Sequence, residues 1–288
     1  MMQILTRVLA GLFMNSASAS EAPAPAKWHE QPLSLPKDFT EMVARMRASR
    51  GKFDMMPRPD QVQWECAVFS QLPQTYVCVF NYKILMNAAL LRVSAFVEEK
   101  ERILNNQEWA SALAQDKTEG HDLISTDVER FQRAYLAKNS TFLPPEKTFD
   151  KGYLQVETDF REQFLTPKFI PSRNGVLLAL AADTDTETTF SHELMHAQYF
   201  HSSRMRKTVH NFWIKNVTPQ DRTQILKLLE KRYNTARSAV IENEFQAYLL
   251  MNHPDKALLK NFEDKYRNPL KIALAQAGLK PISEAMLP

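Results

Sequence analysis

A chain of 288 residues, 44% hydrophobic and 24% charged, can bury one sizeable core, or a core with a smaller lobe. Its 36 basic and 33 acidic residues leave a net charge of +3, with only a short basic knot at Arg204, Arg206 and Lys207, so the charge gives no support to nucleic-acid binding. Six glycines, no G-x-G-x-x-G and no Walker loop weigh against phosphate-binding sheet folds, and the Leu-, Ala-, Lys- and Glu-rich stretches predict a mainly helical α+β protein.

Residues 1–19 read as a secretory signal: Arg7 makes a positive n-region, Val8 to Met14 a short apolar run, and Ala17-Ser18-Ala19 a cleavage site. The run is too short to span a bilayer. This reading predicts an exported protein, periplasmic or secreted; the alternative is a disordered start on a cytoplasmic one. Residues 20–36 follow as a linker, with Glu21 to Ala26 rich in Ala and Pro. Phe39, Met42, Val43 and Met46 recur at helical spacing within a helix expected over Asp38 to Arg50.

Two β-favouring runs, Gln61 to Phe69 and Thr75 to Phe80, flank Leu72-Pro73. A small hairpin centred on Leu72 sets Cys66 opposite Cys78, Trp64 opposite Phe80 and Val68 opposite Tyr76, all on one face. A cross-strand disulfide there suits an exported protein, whereas two buried thiols suit a cytosolic one. No second Cys or His pair stands at ligand spacing near them, which weighs against a metal site.

Tyr82 to Lys117 reads as a long helical region broken near Asn105-Asn106, and Asp122 to Lys138 as a helix capped by Thr126 or Asp127. Pro144-Pro145 interrupts the chain, and Lys151 to Leu165 fits either helix or irregular structure. The region 37–171 carries no assignable motif. Region 172–288 opens with Val176 to Ala182, a continuous apolar run bounded by Gly175 and Asp183 that suits a strand. Thr184 or Asp185 then caps a helix over Thr186 to Ser203. Thr218-Pro219 starts Gln220 to Tyr233, Asn234 starts Thr235 to Asn252, and Pro254 opens a last pair of helices divided near Pro269.

The chemistry concentrates in His192-Glu193-Leu194-Met195-His196. On a helix, positions i and i+4 lie one turn apart on the same face, so both imidazoles can reach one metal ion. Glu193 projects beside them, placed to take a proton from water at that ion. Zinc needs a third protein ligand and keeps its fourth position open in catalytic sites. His201 is five residues past His196, which turns the helix by about 140° and points it away. It also misses metzincin spacing, which requires a glycine at Tyr199 and a histidine at Ser202.

Glu244 is the better third ligand. Val240, Ile241, Glu244, Ala247, Tyr248 and Met251 share one helical face, so Glu244 falls within a mostly apolar arc while Glu242 points to the other side. A carboxylate in that setting is costly unless paired or ligating a metal. The competing explanation is an ion pair with Arg237, two turns earlier on the same face; Glu242 is the next alternative as ligand.

HELMH on one helix with Asn243-Glu244-Phe-Gln-Ala-Tyr248 on a later one resembles the gluzincin metallopeptidases, which include thermolysin-like enzymes and many zinc aminopeptidases. The resemblance covers these two stretches only. It implies a zincin-like core with a short strand before the HExxH helix. It further implies one zinc ion per chain held by His192, His196 and Glu244, with Glu193 activating water. Two departures stand out: the 48-residue interval from His196 to Glu244 is long, and Tyr248 occupies the place of an aspartate that steadies a histidine in thermolysin-like enzymes.

The function expected from these readings is zinc-dependent hydrolysis of peptide bonds in a protein or peptide substrate. Glu193 takes the proton and returns it to the leaving amine. Val176 to Ala182 would align the substrate by strand addition or serve as a core strand, and Tyr248, Tyr199 or His210 would donate to the oxyanion. The alternatives are a metal-binding scaffold without turnover and a helical interaction domain with an accidental HExxH.

Overall fold

The computed structural model describes residues 27–33, 37–50, 63–98, 101–115, 120–138, 148–165, 175–230, 233, 238–252 and 258–286. The expected signal at 1–19, the Ala/Pro stretch Glu21 to Ala26 and Arg237 lie outside them. The described chain is mainly helical with one small sheet, an α+β arrangement. Among the described residues no helix is long and apolar enough to cross a membrane.

Among the described residues the strands are β1 (Lys27–Leu33), β2 (Trp64–Phe69), β3 (Thr75–Phe80), β4 (Gly120–Ile124) and β5 (Val176–Ala181), ordered β1-β2-β3-β5-β4 across the sheet. β1 lies inside the stretch expected to be linker. It runs parallel to β2 and corrects that expectation for Lys27 to Leu33. The β2–β3 hairpin has the expected register, with Trp64 opposite Phe80, Cys66 opposite Cys78 and Val68 opposite Tyr76. Cys66 and Cys78 form a buried disulfide with Cα atoms 4.1 Å apart, a separation that suits directly opposed residues.

β5 is parallel to β3 and antiparallel to β4, so both of its edges are paired. All six of its residues are buried because helices cover both faces, which is why it reads as a continuous apolar run. Leu177, Ala179 and Ala181 face one helical layer, and Val176, Leu178 and Leu180 face the other. The strand therefore cannot accept a substrate along its edge. That edge belongs to β4, which the sequence reading had merged into the following helix.

Helix α1 (Lys37–Ala48) presents Phe39, Met42, Val43 and Met46 to one face of the sheet, as its periodicity predicts. The opposite face is covered by α2 (Lys83–Glu98), α3 (Asn106–Leu113), α4 (Ser125–Lys138) and α5 (Thr148–Phe164). The expected break falls between α2 and α3, where the Asn105 side chain accepts from Gln107 and Glu108 amides and Glu108 caps Asn105 in return. α4 begins at Ser125, directly after β4, rather than at Asp122. Of Lys151 to Leu165, which fits either helix or irregular structure in the sequence, all but Leu165 belongs to α5.

Region 172–288 adds α6 (Thr186–His201), α7 (Ser203–Lys215), α8 (Pro219–Leu229), α9 (Ser238–Leu250) and α10 (Glu263–Gln276). Asp185 caps α6 and Thr218 caps α8, as expected. The sequence reading missed α7, which Ser202 opens by accepting from the Met205 amide only one residue after α6 ends. Pro269 does not divide the last helical segment; it sits inside α10. Tyr266, Leu270 and Leu274 bury one face of that helix against α7 and α9, and this packing outweighs the one hydrogen bond a proline removes.

The disulfide gives the first measurable consequence. It closes a loop of sequence separation 12, for which restriction of the unfolded chain contributes about 3 kcal/mol. Replacing both cysteines with alanine should lower the unfolding free energy by about 2–3 kcal/mol in urea titration, with the native circular dichroism retained.

Candidate metal centre

α6 runs between the sheet and the C-terminal helices. Phe190, Leu194 and Ala197 pack on the sheet, while Met195 and Tyr199 pack on α7, α9 and α10. His192 and His196 lie one turn apart, with their rings edge-to-face and their Nε2 atoms 3.0 Å from each other. α9 brings Glu244 against them: Oε2 is 3.6 Å from His192 Nε2, and Oε1 is 3.6 Å from His196 Nε2. Gln246, fully buried, donates to Met195 O and to Asn243 Oδ1, each at 3.1 Å, and so fixes α9 on α6.

These three side chains fit a metal ion. Each offers one ligand atom within 4.8 Å of the others. A tetrahedral site with bonds of about 2.0–2.2 Å has ligand-to-ligand edges of about 3.3–3.6 Å, close to the separations seen. The set of two imidazoles and one carboxylate leaves a fourth position free of protein in a three-ligand site. Glu244 Oε2 and Glu193 Oε2 are also buried without a hydrogen-bond partner among the described residues, a costly state that a cation and a water would relieve.

The other residues singled out from sequence sort cleanly. Glu242 faces away and its Oε1 lies 2.9 Å from His210 Nδ1, so neither belongs to the centre. Tyr199 stands on that same side, its hydroxyl raised to about 12 by burial and by Glu242. His201 Nε2 instead pairs with Thr75 Oγ1 at 2.9 Å, at the far end of α6. Of the three proposed oxyanion donors, only Tyr248 stands against the centre. Its ring lies 4.5 Å from that of His192, and its hydroxyl is 2.7 Å from that of Tyr233.

Three residues escaped the sequence reading. Asp122, on β4, places a carboxylate oxygen within 4.8 Å of ligand atoms on Glu193 and His196. Gly120, two positions earlier on the same strand face, lies so close to α6 that an added Cβ would stand 2.7 Å from Glu193 Oε1. Tyr233 reaches the centre from the segment between α8 and α9. Gly120 was the one readable signal, since the chain has only six glycines and this one precedes His-Asp.

The electrostatics follow from burying three carboxyls around two imidazoles. Burial raises Glu193 well above the usual carboxylate range, and Asp122 and Glu244 add to the rise against the opposing pull of His196. Burial likewise raises Asp122 to about 6 against His196, with Glu244 reinforcing the rise. Burial also works on Glu244, but His196, His192 and the nearby Tyr233 hydroxyl outweigh it and hold the carboxyl below its ordinary value. His196 feels burial downward, yet Glu244, Asp122 and Glu193 raise it to about 9.

No protein-family model matches the chain, and neither a curated protein nor a solved structure is significantly similar to it.

A metal ion must displace the proton that His196 holds below about pH 9. Affinity should therefore rise with pH up to that value, and binding at pH 7 should release protons. Calorimetry in two buffers of different ionisation enthalpy would measure the release, and a pH-independent affinity between 6 and 9 would contradict it.

Proposed function

We propose that the chain is a zinc-dependent peptidase of the gluzincin type, with a zincin-like core formed by β5, β4, α6 and α9. The observation that carries this reading is the unpartnered, buried Glu193 Oε2 beside three donor atoms at ligand spacing. A purely structural ion needs no base next to it and closes its fourth position with protein. When bound to His192, His196 and Glu244, zinc supplies a Lewis acid that polarises the carbonyl and makes water a stronger acid.

The chain's own residues account for the rest of the chemistry. Glu193 accepts the proton of the attacking water and returns it to the leaving amine. Its carboxyl falls back toward the base form once cation charge offsets that of Asp122 and Glu244. Gly120 leaves room for Glu193 between β4 and α6. Among the described residues β4 is an edge strand with one side unpaired in the sheet order, so an extended peptide adds to it by backbone hydrogen bonds. Tyr248 and Tyr233 present paired hydroxyls on the His192 side, where they serve as donors to the oxyanion. The Cys66–Cys78 disulfide supports export to an oxidising compartment, periplasmic or secreted.

Elemental analysis of purified protein should find about one zinc per chain, lost or greatly weakened in His196→Ala and in Glu244→Ala. Folded wild-type protein without zinc would overturn the reading. Glu193→Gln should keep the zinc and lower peptide hydrolysis by about 10²–10⁴-fold. Hydrolysis at the wild-type rate in that variant would remove Glu193 from the mechanism.

A further inference from the structure

Gly120 opens β4 and pairs with Leu180 of β5. Its backbone gives no reason for a glycine, since among the described residues the glycine with positive φ is Gly278. Glycine weakens a strand and offers no side chain to pack, so its place here points to a close approach. The approach is to α6. A Cβ at position 120 would stand 2.7 Å from Thr189 Cγ2, 2.7 Å from Glu193 Oε1 and 3.2 Å from Glu193 Cδ. Thr189 and Glu193 lie one turn apart, so both belong to the helical face that meets β4.

Neither wall of this seam draws back easily. β4 is paired with β5 from Gly120 to Ile124. On its other face His121 is held by Ser94 and Asn87 of α2, at 2.9 Å and 3.2 Å. α6 is seated on the sheet through Phe190, Leu194 and Ala197. Thr189 is fixed as well, because its Oγ1 donates to Asp185 O at 3.0 Å and a β-branched side chain is stiff. The yielding part is the end of the Glu193 side chain, which is itself buried. A methyl group at position 120 therefore shifts the Glu193 carboxylate relative to His192 and His196 by several tenths of an ångström.

We propose that Gly120 is a positioning residue: by presenting no side chain, it sets where the Glu193 carboxylate stands beside the two histidines. This inference rests on the peptidase reading for the use made of that carboxylate. The atoms nearest the added methyl belong to Thr189 and Glu193, so His192, His196 and Glu244 keep their places. Gly120 thus acts on the base and not on the ligands.

The test builds each variant on Thr189→Ser, which removes Cγ2, keeps the bond to Asp185 and leaves Glu193 as the principal obstacle. Gly120→Ala should retain about one zinc per chain by elemental analysis. Its kcat for peptide hydrolysis should fall about tenfold or more with KM held within about twofold, because small misplacements of a reacting group are costly. Added to Glu193→Gln, the same substitution should change kcat by less than about twofold, since its effect passes through the carboxylate. Urea unfolding of the metal-free protein reads the contact without catalysis. Gly120→Ala should lower the midpoint, and should no longer do so once Glu193→Ala has emptied the space. An equal loss of kcat with and without the Glu193 carboxylate would overturn the proposal, as would loss of zinc in Gly120→Ala. Undiminished kcat and midpoint in Gly120→Ala would overturn it and leave the peptidase reading intact. Wild-type protein that binds zinc and hydrolyses no peptide would overturn the peptidase reading, and the midpoints alone would then decide this inference. Should Gly120→Ala fail to fold, recovery of the native circular dichroism by Glu193→Ala supports the contact, and no recovery overturns it.

Discussion

Helix α6 is buried from both sides, and much else follows from that constraint. The sheet covers Phe190, Leu194 and Ala197, and the C-terminal helices cover Met195 and Tyr199. The polar residues between them have little water to turn to, so each needs a partner inside the protein. Ser191 Oγ accepts from the Asn252 amide, and Gln198 donates to Lys280 O while accepting from the Ile282 amide. In the fully buried middle of the helix, Phe190 to Ala197, the polar residues that remain are His192, Glu193 and His196. They meet the carboxylate of Glu244 across α9 and that of Asp122 across β4.

The half of the chain without a motif takes part in building the centre. Arg92 on α2 is almost fully buried and pairs with Glu157 on α5 at 2.8 Å and 3.1 Å. It also donates to Leu104 O and to Asn106 Oδ1 at the start of α3, and it lies over the rings of Trp109 and Tyr135. One guanidinium therefore gathers α2, α3, α4 and α5. Breaking such a buried pair by removing one partner costs about 3–5 kcal/mol. The same α2 carries Asn87 and Ser94, which clasp His121, so the cohesion of this helical layer is passed to β4.

The core was readable in the sequence wherever burial imposed a period. Phe39, Met42, Val43 and Met46, the all-apolar Val176 to Ala181, and the Cys66–Cys78 register each declare their packing. The histidine pair and Glu244 were readable for a related reason: a charged residue within an apolar helical arc needs an explanation. β4 was not readable. It has five residues, includes a histidine and an aspartate, and passes into α4 without a loop, so strand and helix patterns overlap there. Tyr233 escaped too, because its position depends on how the segment between α8 and α9 folds back, which no local pattern encodes. The α7 start was hidden because α6 ends only one residue earlier.

A sheet edge with no partner strand among the described residues, as at β4, is exposed to the edge of a second copy of the same chain. β4 limits that hazard by its own composition. Its length of five residues offers few backbone pairs, and the inward carboxylate of Asp122 sits in its middle. Stacking two copies edge to edge would bring two such carboxylates together in a poorly hydrated space, where like charges repel strongly. Asp122 therefore makes pairing of β4 with its counterpart in a second copy unfavourable by the same physics that governs its place at the centre.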